Sequence, residues 1–222
     1  MHERSQYDVG MRLYHSLRPH PVVGAGREVR MFLREKGLVV PMSDIDMMSG
    51  ENRQQAFLAK NPTGQLPALE LDDGRVVAEG VAICELFEDL HPEPPLVGRS
   101  PEEKAQTRMW LRRCEFGITE NIVNGFRFAE GKEFWKGRGR VVPEAADGLK
   151  AIAADKLRWL DGTMAGKQFV AGDRFTLADI VLFVALEFAE MVGQPLDPEL
   201  ARVVAWKTRV GSRPSAAASL SA

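Results

Sequence analysis

In the first half of the chain the spacing of apolar residues switches repeatedly between a strand-like and a helical period. Residues 12–14 form a short strand candidate, and a loop broken by prolines follows them. Apolar residues then recur at helical spacing over residues 22–36, where Gly37 supplies a stop. Residues 43–47 predict a weak strand, and residues 54–59 predict a short helix.

Residues 65–90 show a clearer pattern than the residues before them. Two alternating runs, residues 65–71 and 75–79, flank the turn sequence Asp72-Asp73-Gly74 and predict a β-hairpin. Residues 80–90 carry apolar side chains on one helical face. The order strand, helix, strand, helix, hairpin, helix is typical of a thioredoxin-like α/β domain.

The second half of the chain shows only helical periods. Helices are predicted over residues 101–128 and 143–164, from Thr176 onward, and over residues 198–210. Thr176 and Asp179 have the spacing of a capping box at a helix start. An all-α domain is therefore expected to follow the α/β domain. The predicted division is a flexible tail at 1–10, a thioredoxin-like domain at 11–91, a linker at 92–101 and a helical domain at 102–222.

Composition and charge narrow the possible functions. The 222 residues carry a net charge of −2 with both signs interspersed, which argues against nucleic-acid or membrane-surface binding. Cys84 and Cys114 are too few for a disulfide framework or a zinc site, and no metal is expected. The polar N-terminus predicts no signal peptide, and no apolar run reaches the ~18 residues of a membrane span. These features predict a cytoplasmic globular protein.

Three stretches together resemble the glutathione transferase superfamily. They read FLAKNPTGQLPALELDDGRVVAEGVAICELFEDL at 57–90, VRMFLREKGL at 29–38 and AGDRFTLADI at 171–180. FLAKN and LELDDG are similar to the yeast-type branch, whose members are thought to activate the thiol through a bound water. The resemblance implies a transferase that uses the thiolate of glutathione on a small hydrophobic electrophile. It also implies a homodimer.

The resemblance places the glutathione site around the hairpin. It implies a cis bond between Leu66 and Pro67, which turns the Leu66 amide and carbonyl outward so that the cysteinyl unit pairs with them like an added strand. Lys60 and Gln65 flank the same groove and are candidates for the glycyl carboxylate. A solvated lysine is the equally weighted alternative for Lys60.

Glu79 and Gly80 stand at a predicted helix start, where amides and the helix dipole suit a carboxylate. The resemblance implies that Glu79 pairs with the γ-glutamyl ammonium of glutathione. Superfamily members usually carry serine after this glutamate, so Gly80 lacks the hydroxyl. We therefore expect weaker glutathione binding than usual, and we expect Gly80→Ser to tighten it.

The catalytic group is less well defined. Members place tyrosine, serine or cysteine between the first strand and the first helix, where this chain has HSLRPHPVVGAGRE, a longer stretch without cysteine. Ser16 and Arg18 are the catalytic candidates, with a loop amide or a water as alternatives. The serine and histidine that hold the water in the yeast-type branch fall on Val123 and Arg127, so that mechanism does not transfer directly.

Three functions remain open at this point. The first is a glutathione transferase, favoured by Leu66, Pro67 and Glu79. The second is a glutathione-dependent disulfide or peroxide reductase. The third is a non-catalytic glutathione-binding or regulatory module, favoured by Gly80 and the missing loop nucleophile, since one fold hosts many functions.

Overall fold

A computed structural model describes residues 10–20 and 25–221. Nearly all of the predicted tail and Val22, the start of the predicted first helix, lie outside these residues. The chain divides into two compact units. The thioredoxin-like unit comprises the residues up to Leu96 together with those from Arg213 onward, and the helical unit comprises residues 97–212. The last residues, which the predicted division gives to the helical domain, thus group with the thioredoxin-like unit.

The thioredoxin-like unit is built on a four-stranded mixed sheet of order β2-β1-β3-β4. Strand β1 pairs in parallel with β2, and β3 runs antiparallel to both β1 and β4. This topology confirms the predicted thioredoxin-like fold. The elements in chain order are β1 (Arg12–His15), α1 (Arg27–Lys36), β2 (Met42–Asp44), a 3₁₀ turn (Glu51–Arg53), α2 (Gln55–Leu58), β3 (Ala68–Glu70), β4 (Val76–Ala78) and α3 (Gly80–Leu90).

Helix α1 packs its apolar face into the core and begins later than predicted. Val29, Phe32 and Leu33 are fully buried, as their helical spacing requires. The helix begins at Arg27 because Gly26 takes a left-handed conformation, with φ of 87°, before the first turn. Gly37, with φ of 66°, closes the helix as predicted.

The C-terminal segment completes this unit through polar contacts with α1. A short helix that the sequence patterns did not predict, α10 (Pro214–Ala218), precedes Ser219. The fully buried Arg27 and Arg30 donate from Nε to the Ser219 Oγ at 3.2 Å and to the Ser219 carbonyl at 2.8 Å, respectively. Arg213 forms a bidentate ion pair with Glu35 at 2.7 Å. Buried charges of this kind need such partners to be tolerated.

The helical unit confirms the predicted all-α domain. The predicted helix over 101–128 is one helical run interrupted by a π-helical turn, and a short helix that was not predicted lies between it and the predicted helix over 143–164. The elements are α4 (Pro101–Cys114), the π turn (Glu115–Thr119), α5 (Glu120–Phe128), α6 (Lys132–Trp135), a 3₁₀ turn (Pro143–Ala145), α7 (Ala146–Thr163), α8 (Leu177–Met191) and α9 (Ala201–Gly211). Among residues 10–20 and 25–221, no helix combines the length and apolarity needed to cross a membrane.

The predicted capping box at the start of α8 is present and extends into a buried network. The Asp179 carboxylate accepts hydrogen bonds from the Thr176 backbone N–H at 2.8 Å and from its hydroxyl at 2.9 Å. It also accepts from the Val170 N–H and the Trp206 Nε1–H, each at 2.8 Å. A single buried carboxylate therefore joins the start of α8 to the preceding loop and to α9.

Candidate functional site

The strand register brings most of the predicted site residues to one end of the sheet. Ala68 in β3 pairs with Tyr14 in β1 and with Ala78 in β4. Because β3 is antiparallel to both neighbours, the residues before Ala68 lie beside those that follow Tyr14 and Ala78. Residues 15–16, 66–67 and 79–80 therefore meet at one end of these three strands, and we call this region the sheet end.

Leu66 and Pro67 enter the sheet end just before β3. The peptide bond between them is cis, as the resemblance implies. Within the described ranges, no hydrogen bond engages the Leu66 backbone N–H or C=O, so both groups remain available to an extended ligand. Pro67 is buried, and a Cβ on Gly26 would lie 3.1 Å from the Pro67 Cβ, so the start of α1 approaches the same place.

Glu79 has an unusual backbone conformation. In the described part of the chain it is the one non-glycine residue with positive φ, at 71°. Its side chain is exposed, and the residue stands at the N-cap position of α3 without a side-chain hydrogen bond to the helix. Such a conformation costs about 1–3 kcal/mol and is found mainly at functional positions. The strain holds an exposed carboxylate at the sheet end.

Gly80, the first residue of α3, is closely approached by Glu28 of α1. A Cβ at position 80 would lie 2.1 Å from the Glu28 Oε1 and 2.9 Å from its Cδ. Any side chain at this position therefore requires Glu28 to move away. The sequence-based expectation that Gly80→Ser tightens glutathione binding stays a prediction, and the structure adds a condition to it: the Glu28 side chain must first move out of the space that the serine would enter.

The loop after β1 holds Ser16 and Arg18 in different environments. Ser16 is fully buried, its N–H donates to the Ala25 carbonyl at 3.1 Å, and its Oγ accepts from the Arg18 N–H at 3.3 Å. The Arg18 side chain is 56% exposed, and its guanidinium pairs with Asp46 at 3.0 Å and Asp44 at 3.5 Å. Ser16 thus lies at the sheet end as predicted but beneath the surface, and two carboxylates offset the charge of Arg18.

A buried cation and a neutral histidine underlie the sheet end. His15 is fully buried, with its Nδ1 3.0 Å from the Arg30 Nη1. Burial, together with the charge of Arg30, lowers the pKa of His15 to about 4, so the ring is neutral at pH 7. Burial also lowers the pKa of Arg30 to about 10, which leaves it protonated. The positive charge near the end of β1 therefore resides on Arg30.

Comparison with known proteins identifies the chain's family. The glutathione S-transferase N-terminal domain model matches residues 26–90, and the C-terminal domain model matches residues 140–214. Glutathione S-transferase 2 of Saccharomyces cerevisiae is 34% identical over 194 residues, which cover 84% of this chain and 81% of that protein. The chain belongs to the glutathione S-transferase family.

Two further comparisons show the range of this glutathione S-transferase's relatives. The crystal structure of Gtt2 from Saccharomyces cerevisiae has a TM-score of 0.86 at 30% identity and covers 94% of this chain and 99% of that chain. The yeast-type resemblance is thereby confirmed. FtsZ-localized protein A of Caulobacter vibrioides is 29% identical over 213 residues, which cover 92% of this chain and 90% of that protein.

Lys60 and Gln65, the two residues predicted to flank the groove of this glutathione S-transferase, lie in different surroundings. Gln65 is exposed beside Leu66. The ammonium of Lys60 instead binds the Glu70 carboxylate, at 2.9 and 2.8 Å, toward the other end of β3. This hydrogen bond raises the pKa of Lys60 and lowers that of Glu70. The structure therefore gives Lys60 a partner within the protein.

The remaining candidate groups of this glutathione S-transferase are structural in character. Arg127 is partly buried, and its guanidinium lies 4.1 Å from the Trp135 ring centroid, so a cation–π contact within the protein engages its charge. Cys84 and Cys114 are buried, and burial raises the pKa of both thiols. The described residues hold no cluster of metal ligands.

Sequence reasoning missed Glu28 and the His15–Arg30 pair. Glu28 looks like an ordinary acid in the first turn of a helix, where the dipole favours it. His15 and Arg30 look like strand-end and helix-surface residues until β1 and α1 pack together. The close approach of Glu28 to Gly80 was signalled only by the unexpected glycine at position 80.

Proposed function

We propose that this glutathione S-transferase binds reduced glutathione at the sheet end and transfers its thiolate to a small hydrophobic electrophile. The observation that carries the proposal is Glu79, an exposed carboxylate held in a strained backbone at the start of α3. It stands beside the unpaired backbone groups of Leu66, in a chain of the matching family. The proposal includes a role in detoxification as a cytoplasmic homodimer.

Each part of glutathione has a matching group at the sheet end. The cysteinyl backbone pairs with the Leu66 N–H and C=O, which supports the peptide like an added strand. The γ-glutamyl ammonium pairs with Glu79, and the γ-glutamyl carboxylate lies at the N-terminus of α3 by Gly80. Gln65 is the proposed partner of the glycyl carboxylate, with Lys60 available only by leaving Glu70.

The transfer step needs a thiolate. Its sulfur forms a bond to an electrophilic carbon. In a substitution, the electron pair of the bond between that carbon and the leaving group departs with the leaving group. In a conjugate addition, the π electron pair moves onto the acceptor, which then takes a proton. A thiol of pKa ~8.5 is only a few per cent ionised at pH 7, and lowering that pKa by two units requires ~2.7 kcal/mol. A helix dipole supplies ~0.3–1 kcal/mol, so a hydrogen bond or cation must add the rest. Ser16, Arg18, a loop amide or a water are the proposed sources.

Calorimetric titration of the native protein with reduced glutathione tests the proposal. We expect one glutathione molecule to bind per chain. A parallel titration with glutathione disulfide tests the reductase alternative, which predicts the tighter binding of the disulfide. Absence of binding to both ligands would contradict the proposed function.

Substitution at Ser16 tests how the thiol is activated. If the buried hydroxyl donates to the sulfur, Ser16→Ala raises the pKa of bound glutathione by about one unit, which corresponds to ~1.4 kcal/mol. Arg18→Ala should have a smaller effect, because Asp44 and Asp46 already offset its charge. Thiolate absorbance measured across a pH titration reports this pKa directly.

Ser212→Ala, an exposed serine of the helical unit, is the matched control and should leave the pKa unchanged. If neither Ser16→Ala nor Arg18→Ala alters the pKa, a loop amide or a water activates the sulfur.

A non-catalytic binding module is the second candidate. The similarity to FtsZ-localized protein A, whose name describes a localisation rather than a reaction, favours it together with the buried position of Ser16. This candidate predicts that the protein binds glutathione while leaving the pKa of the thiol at its free value. The same absorbance titration therefore separates the module from the enzyme.

A further inference from the structure

The side chain of Glu28 occupies the space beside Gly80. A Cβ at position 80 would meet three atoms of this side chain, Oε1 at 2.1 Å, Cδ at 2.9 Å and Cγ at 3.0 Å. Glu28 lies in the first turn of α1, and Gly80 is the first residue of α3. Two helix starts thus converge on one carboxyl group, at the place assigned above to the γ-glutamyl carboxylate of the ligand.

The surroundings of Glu28 compensate its charge poorly. In the described ranges its carboxylate accepts a hydrogen bond from its own backbone N–H, and no side chain donates to it. Three groups face the Glu28 carboxylate. Arg30 on α1 favours its charged form, and Glu79 before α3 opposes that form. The third group is the buried Cys84 thiol on α3. Burial is the largest influence, and it raises the pKa of Glu28.

We propose that Glu28 is a specificity-determining residue whose carboxyl group competes with the γ-glutamyl carboxylate of the ligand for the start of α3. This inference rests on the proposed glutathione function. Two carboxylates cannot share the position without strong repulsion, whereas a protonated Glu28 can donate a hydrogen bond to the ligand. Glu28 then takes the part that the usual serine hydroxyl plays in related chains.

The pH dependence follows from the charge of Glu28. The ligand carboxylate is already ionised over the working range, so only Glu28 changes charge between them. At a pH below the pKa of Glu28 the group is neutral and the ligand binds. As the pH rises through that pKa, the negative charge returns and glutathione affinity falls. A ligand without the γ-glutamyl carboxylate escapes this loss.

The experiment is calorimetric titration of the native protein, Glu28→Gln and Glu28→Ala from about pH 5 to about pH 8. The probes are reduced glutathione and 4-aminobutyryl-cysteinylglycine, which keeps the ammonium and thiol but lacks the γ-glutamyl carboxylate. Glu28→Gln preserves the size of the side chain and removes only its charge. Glu144→Gln, an exposed residue of the helical unit, is the control.

We expect Glu28→Gln to bind glutathione about tenfold more tightly than the native protein at the upper end of the range and to lose most of the pH dependence. The native protein should distinguish the two probes weakly at that pH, and Glu28→Gln should prefer glutathione. Equal glutathione affinity and equal pH dependence in the native protein and Glu28→Gln would overturn the inference while leaving the proposed function intact.

A second variant pair tests the shared space independently of charge. Gly80→Ser alone should weaken glutathione binding relative to the native protein, because Glu28 must be displaced. Gly80→Ser introduced into the Glu28→Ala protein should strengthen binding relative to Glu28→Ala. Additive effects of the two substitutions would overturn the inference. If none of the proteins binds glutathione, the proposed function fails and the inference fails with it.

Discussion

Replacing Asp179 with alanine is expected to lower the free energy of unfolding by about 3–5 kcal/mol. The fully buried carboxylate accepts four hydrogen bonds, from the backbone and hydroxyl of Thr176, the backbone of Val170 and the indole of Trp206. Alanine leaves these donors in an apolar interior where water cannot replace the lost acceptor. Urea unfolding followed by circular dichroism measures the change.

Two controls make this result specific. Asp179→Asn keeps the size of the side chain and one carbonyl acceptor, so its loss should be smaller than that of the alanine variant. Asp155→Ala removes an exposed carboxylate of α7 that is paired with Arg158, and it should change stability by no more than about 0.5 kcal/mol. Equal stability of the Asp179→Ala and Asp155→Ala proteins would contradict a structural role for the network.

Replacing Glu79 with alanine is expected to weaken glutathione binding by about tenfold to a hundredfold. The substitution leaves the γ-glutamyl ammonium without its proposed partner. Glu79→Gln retains the length of the side chain but not the charge, so it should fall between the native protein and the alanine variant. Calorimetric titration gives the three dissociation constants, and an unchanged value for Glu79→Ala would remove Glu79 from the site.

Glu79→Gly separates binding from backbone conformation. Glycine adopts the φ of 71° without a Cβ penalty, so this variant should be at least as stable as the native protein. It should nevertheless bind glutathione as weakly as Glu79→Ala. A stable protein with poor binding would show that the strain at position 79 serves the ligand; native-like binding would show that backbone geometry alone is enough.

Structural features that depend only on residues close together in the sequence were predictable from it. The hairpin followed from its Asp-Gly turn and alternating flanks, helix α3 begins and ends at the predicted residues, and Thr176 and Asp179 form the predicted capping box. Helix α1 begins at Arg27 because Gly26 adopts a positive φ, and the spacing of apolar residues does not reveal that conformation. Helix α10 is too short for a periodic pattern to reveal.

The candidate site was predictable only in part. The resemblance placed Leu66, Pro67, Glu79 and Gly80 together, and the strand register gives the physical basis for this grouping. Contacts between distant segments were not predictable, because a side chain shows its partner only after packing. Lys60 therefore looked like a free cation until Glu70 paired with it, and Glu28 looked like a dipole-compensating acid until α1 met α3.

The return of the C-terminal segment to α1 has a consequence for biosynthesis. The helical unit is inserted in the sequence between the two parts of the thioredoxin-like unit. During translation, the α/β segment and the whole helical insert emerge from the ribosome before the residues that satisfy Arg27, Arg30 and Glu35. The nascent thioredoxin-like unit therefore lacks the hydrogen bonds that Arg27, Arg30 and Glu35 form with the C-terminal segment until residues 213–219 have been synthesised.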